Sequence, residues 1–148
     1  MIKECSKCKI LLDTEPLIKF FSEEEGWECV QEILTAIEEG KIEASMSVVT
    51  LTEIYYKYLH EKREDVAKAR TDDLRYAIYI RKLDLNEETA IKAGEFKGKY
   101  SIPIADAQIA ASAYIENLIV ISDDADFKKM NEIKTLTEKE FAHLLKQA

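Results

Sequence analysis

Short apolar runs that end on a carboxylate constrain this chain more than any other feature of it. Ile10-Leu11-Leu12 stops at Asp13, and Leu118-Ile119-Val120-Ile121 runs through Ser122 into Asp123-Asp124. Runs of this length with no polar face read as strands covered on both sides. Ile102-Pro103-Ile104-Ala105 leads in the same way to Asp106. In an open α/β sheet, ligands bind beyond the carboxyl ends of the strands, so acids collected at strand ends read first as a metal site.

Helical patterns fill the space between these runs. Thr14-Glu15-Pro16 turns the chain into a helix, since proline suits a first helical turn. Trp27, Val30, Ile33, Leu34 and Ile37 then follow helical spacing, with Gly40 as the C-terminal cap. Residues 42–48 alternate as a strand and feed a helix from Leu51 to His60. A more polar helical region runs from Glu61 towards Arg81, before a third strand at Leu83-Asp84-Leu85. Further helices are expected through Ala90, Ile91, Ala93 and Phe96, and from Ala105 to Ile115, where five alanines allow close approach to the sheet. Residues 133–136 form a weaker fifth strand and Thr137 to Lys146 a terminal helix. Strands alternating with helices throughout predict a parallel sheet of about five strands, covered on both faces and joined by right-handed crossovers.

At 148 residues, with two prolines, four glycines and no low-complexity run, the chain is expected to be one domain over 1–148. The longest apolar stretches are strand length, well short of the roughly 20 residues of a membrane span. The start lacks a signal-peptide core, so a cytoplasmic protein is expected. A net charge of −8 opposes nucleic-acid binding through bulk electrostatics, yet leaves room for an enzyme that grips phosphates through bound metal. Two histidines make His-centred schemes improbable. Cys5-Ser6-Lys7-Cys8 invites a zinc or redox reading, but Cys29, His60 and His143 supply no second ligand pair. Free thiols are expected.

With 29 acidic residues, only position distinguishes a functional carboxylate from a surface one. Asp13 has a capping role open to it at the following helix. Thr50-Leu51-Thr52-Glu53 reads as a capping box, flanked by Val49 and Ile54 as a hydrophobic staple. The rival reading sends Glu53 to the sheet edge beside Asp13. Asp106 interrupts an apolar segment, and an unpaired buried charge needs a metal or a cationic partner. Asp123, Asp124 and Asp126 crowd the exit of the last apolar run, where Ser122 offers itself as a cap. Carboxylates converging in one cleft repel unless a divalent cation neutralises them, and oxygen ligands favour Mg²⁺ or Mn²⁺ over zinc.

Four segments together resemble the PIN-domain nucleases, and among them the VapC-type toxin ribonucleases. They are Leu11-Leu12-Asp13-Thr14, Thr50-Leu51-Thr52-Glu53-Ile54, residues 102–111 around Asp106, and residues 120–127 around Asp124. The resemblance implies a three-layer α/β/α sandwich and a metal-dependent endoribonuclease, often a homodimer held inactive by an antitoxin. It implies an acidic site of Asp13, Glu53, Asp106 and Asp124, with Asp13, Asp106 and Asp124 holding Mg²⁺ or Mn²⁺ and Glu53 orienting the cation or the attacking water. Thr14 and Ser122 are its hydroxyl neighbours. Asp126 competes with Asp124 for the fourth place, and spacing from Ser122 to Phe127 favours Asp124. Lys97, Lys99, Lys128 and Lys129 flank these segments and are open to phosphate contacts or to ordinary surface roles. The alternative function is a binding scaffold of the same fold without turnover, its acids serving as caps and salt-bridge partners.

Overall fold

The computed structural model describes residues 8–147. In chain order the elements are β1 (Lys9–Leu12), α1 (Thr14–Ser22), α2 (Trp27–Glu38), β2 (Glu43–Ser47), α3 (Val49–His60), α4 (Glu64–Arg75), β3 (Ile80–Leu83), α5 (Glu87–Tyr100), α6 (Ile104–Glu116), β4 (Ile119–Ile121), α7 (Ala125–Lys129), β5 (Thr135–Leu136) and α8 (Glu138–Lys146). The five strands are all parallel, in the order β3-β2-β1-β4-β5. From β1 the chain steps outward to β2 and β3, then returns across β1 to build β4 and β5 on its other side. The reversal falls between β1 and β4, where strands diverge in their connections and a crevice opens at their carboxyl ends.

Alternation along each strand divides the core into two layers. Ile10, Leu12, Met46 and Ile121 point to one face, where they meet Leu17, Ile33, Ile37, Ile54, Tyr58 and Phe141 from α1, α2, α3 and α8. Leu11, Val120 and Leu83 point to the other, against Phe96 of α5, Phe127 of α7 and the alanines of α6. Full burial of each large apolar side chain contributes roughly 1.5–3 kcal/mol. The result is the expected three-layer α/β/α sandwich. Ala107, Ala110, Ala111 and Ala113 are all buried, as close packing of α6 requires. Gly40, at φ 75°, sits just past the end of α2, and its N–H reaches Ile37 O at 3.0 Å.

Several expectations need correction. Helices do not simply alternate with strands: α1 and α2, α3 and α4, and α5 and α6 follow one another directly. The polar helix ends at Arg75, and the third strand is Ile80–Leu83 rather than Leu83-Asp84-Leu85. As a sheet edge it exposes Arg81 and buries Ile80 and Leu83, so its apolar signal is thin. Residues 102–105 are not a strand. Ile102 is buried in the loop after α5, α6 starts at Ile104, and Asp106 therefore lies in a helix's first turn. The capping box at Thr50 is also absent, because α3 begins at Val49, whose N–H is taken by Ser47 Oγ at 3.1 Å. The capping box that does form joins Thr137 and Glu140 at the start of α8. Cys5 falls outside the described residues; Cys8 is half-buried just ahead of β1.

Candidate active site

Asp13 follows β1 and Ser122 follows β4, and the register that pairs Leu12 with Ile121 brings them side by side. Asp13 N donates to Ile121 O at 3.1 Å, extending the strand pairing one residue past β1. Asp13 is 4% exposed, and its carboxylate accepts twice, from Thr14 N at 2.8 Å and from Ser122 Oγ at 2.7 Å. It is both the N-cap of α1 and a wall of the crevice. Burial raises its pKa to about 6 against the lowering effect of those two hydrogen bonds, with the nearby Glu53 and Asp124 adding to the rise.

Glu53 comes from the first turns of α3. Its Oε1 lies 2.5 Å from Thr14 Oγ1, which is also 3.0 Å from Thr50 Oγ1. Thr14 has one hydroxyl proton, which the carboxylate takes as the stronger acceptor, leaving the Thr50 proton free to point back at Thr14. Thr50, expected to cap its own helix, instead braces a hydroxyl that orients Glu53.

Asp106 enters from the first turn of α6 on the opposite layer. Among the described residues it has no ion-paired lysine or arginine. Burial pushes its pKa up to about 7, reinforced by Asp13, Asp124 and Glu53. Asp124 caps α7 by accepting from Asp126 N at 2.9 Å, while its own N–H reaches Ser122 Oγ at 3.0 Å. Ser122 is thus no helix cap: its hydroxyl joins the Asp13 carboxylate to the backbone of Asp124.

Asp13, Glu53, Asp106 and Asp124 line one cleft of 470 Å³ together with Thr14, Glu15, Ile18, Tyr56 and Asp123. Asp106, Asp124 and Asp126 each bring a carboxylate oxygen within 4.8 Å of the other two, the one such group among the described residues. The two sets overlap at Asp106 and Asp124. Asp126 does not line the cleft and is ion-paired with Lys129 at 2.9 Å, which favours Asp124 as the inward-facing acid. An all-oxygen donor set of carboxylates, with Asp13 and Asp106 raised in pKa by burial and by neighbouring acids, suits a hard divalent cation such as Mg²⁺ or Mn²⁺. Among the described residues, Cys29, His60 and His143 are not gathered into any such group.

The flanking lysines are otherwise occupied. Lys97 donates to Ile102 O at 2.9 Å, Lys99 pairs with Glu132, Lys128 with Glu140 and Lys129 with Asp126. Sequence reading missed two features of the site region. Lys19 bridges Asp123, at 2.5 Å, to the buried Glu138, at 2.7 Å, tying the loop after β4 to α1 and α8; its sequence separation left no local signal. Tyr56 opens onto the cleft, and its position three residues beyond Glu53 on one helix was the available clue.

An all-parallel sandwich whose switch point collects carboxylates from both helical layers defines an acid-cleft α/β protein. The chain belongs to the PIN domain family, whose model matches residues 10–133. Solved structures with the same fold include DNA-bound VapBC from Salmonella typhimurium, at 19% identity and a TM-score of 0.73, covering 88% of this chain and 98% of that one. VapBC2 from Rickettsia felis, bound to a DNA fragment from its promoter, is 16% identical with a TM-score of 0.71, covering 87% and 98%. VapBC-5 from Mycobacterium tuberculosis, of the VapBC family of toxin-antitoxin systems, is 20% identical with a TM-score of 0.62, covering 88% and 98%. No curated protein matches by sequence. Among the described residues no helix is long and apolar enough to cross a membrane.

Proposed function

We propose that this chain, as one PIN-like domain over 1–148, is a metal-dependent endoribonuclease acting in the cytoplasm. The carrying observation is the meeting of Asp13, Glu53, Asp106 and Asp124 in one cleft from four separate segments. Asp13, Asp106 and Asp124 would hold Mg²⁺ or Mn²⁺. Such an ion, when bound, would lower the pKa of water and counter the charge that gathers on a phosphate. Glu53, its carboxylate fixed by Thr14, would orient the attacking water. Ser122 would hold Asp13 in its ligating direction, a supporting contact of the kind that steers ligand carboxylates. Attack on phosphorus with departure of the ribose 3′-oxygen leaves a 3′-hydroxyl and a 5′-phosphate.

A toxin role with an antitoxin partner is the further reading, supported by the VapBC and toxin-antitoxin descriptions of its structural neighbours, and a homodimeric state is part of the same proposal. Cleavage of a mixed RNA pool with Mn²⁺, with Mg²⁺ and with EDTA, comparing the native chain with Asp106→Asn, tests the chemistry. Metal-dependent cleavage abolished in the variant is the expected result. Equal cleavage by the two proteins would remove the acids from the reaction.

A further inference from the structure

We propose that Tyr56 is a nucleobase-stacking platform beside the acid cleft, taking one unpaired base of a single-stranded RNA whose phosphate lies at the carboxylates. The identity of the polymer rests on the nuclease reading above; the stacking surface itself rests on geometry. Tyr56 lies one turn beyond Glu53 on α3 and lines the same 470 Å³ cleft. Tyr56 is 65% exposed, whereas Ile54 and Tyr58 on the inner side of the same helix are 0% and 1% exposed. The ring therefore plays no part in the core. One turn further on, the His60 ring stacks against it, with centroids 5.8 Å apart and planes 22° from parallel, so the tyrosine is propped rather than loose.

The electrostatics of the chain make such a platform useful. The net charge is −8, and among the described residues the lysines that flank the acid segments, Lys97, Lys99, Lys128 and Lys129, are each engaged within the protein rather than free for a phosphate backbone. Base stacking on an aromatic ring supplies affinity independent of charge, and every base has a face to offer. A duplex has its base faces already covered, so the platform selects unpaired strands.

The test uses a ten-nucleotide single-stranded RNA carrying 2-aminopurine, whose fluorescence falls on stacking. It is bound in EDTA to full-length protein in an Asp106→Asn background, so that neither cleavage nor cation contributes. The tyrosine protein should bind and quench the probe, Tyr56→Phe should match it within twofold, and Tyr56→Leu should bind roughly tenfold more weakly with quenching lost. The same RNA annealed to its complement should show no dependence on residue 56. Binding and quenching by Tyr56→Leu within twofold of the tyrosine protein, or no quenching by the tyrosine protein, would overturn the proposal. Failure of the nuclease reading is seen separately, as absence of Mn²⁺-dependent cleavage by the native chain.

Discussion

Ser122 Oγ donates a 2.7 Å hydrogen bond to Asp13 Oδ2 across 109 positions of sequence, inside a fully buried corner where β1 and β4 end together. The contact holds the most buried acid of the cleft in one orientation. It also offsets part of the burial that raises the Asp13 pKa. Ser122→Ala is expected to cost about 1–3 kcal/mol above pH 7, where the carboxylate is ionised, and less near pH 5. Urea denaturation at the two pH values reads the difference; equal losses at both would mean the hydroxyl serves only the Asp124 backbone.

Asp13 and Asp106 titrate near 6 and 7 in the folded, metal-free protein, both raised from 3.8. A raised carboxylate pKa means that the folded state binds protons more tightly than the unfolded chain. The resulting stability advantage is complete below about pH 4 and is lost as pH rises through 6 and 7. Asp106→Asn should therefore stabilise the metal-free protein at pH 8, by about 1–2 kcal/mol once solvent screening of this half-buried group is allowed for, and leave it unchanged at pH 4. Thermal melts in EDTA measure this. A destabilised variant at pH 8 would contradict the electrostatic account.

Cation binding should run opposite in sign. Mn²⁺ requires the ionised carboxylates, so its affinity should rise from pH 5.5 to pH 8, and binding near pH 6 should release protons. Titration calorimetry in two buffers of different ionisation enthalpy reports the released protons directly. Chelation with EDTA should return the melting temperature to that of untreated protein, and Asp106→Asn should show no saturable Mn²⁺ shift.

Lys19 supports the site from beneath. Glu138 is 2% exposed, and burial pushes its pKa up while Lys19 at 2.7 Å pulls it down. Lys19→Met strands that carboxylate and is expected to cost about 3 kcal/mol. Adding Glu138→Gln should restore more than half of the loss, a coupling that a double-mutant cycle measures. The exposed Asp123 contributes little to this balance, so Asp123→Asn should be nearly silent in stability.

The acids were legible because sequence records where strands end. Asp13 and Asp124 follow continuous apolar runs, and those runs became β1 and β4. Asp106 was found for a partly mistaken reason, since residues 102–105 are a loop and helix start whose buried Ile102 imitates a strand. The edge strand β3 was misplaced because an exposed Arg81 dilutes its pattern. Thr50 misled because a capping box is a local pattern, whereas the contact that claimed its hydroxyl comes from Thr14, 36 positions away. Lys19 and Glu138 were invisible for the same reason: an ion pair spanning 119 positions leaves no periodicity to read.

The strand order β3-β2-β1-β4-β5 places the first strand in the middle of the sheet, with the fourth completing the crevice beside it. Ribosomal synthesis delivers Asp13 109 residues ahead of its partner Ser122, and ahead of its neighbour Asp124 as well. Nascent chains and prematurely terminated products that stop before β4 therefore carry most of the acids without the cleft. The assembled acid cleft is withheld until β4 has been made, by topology alone.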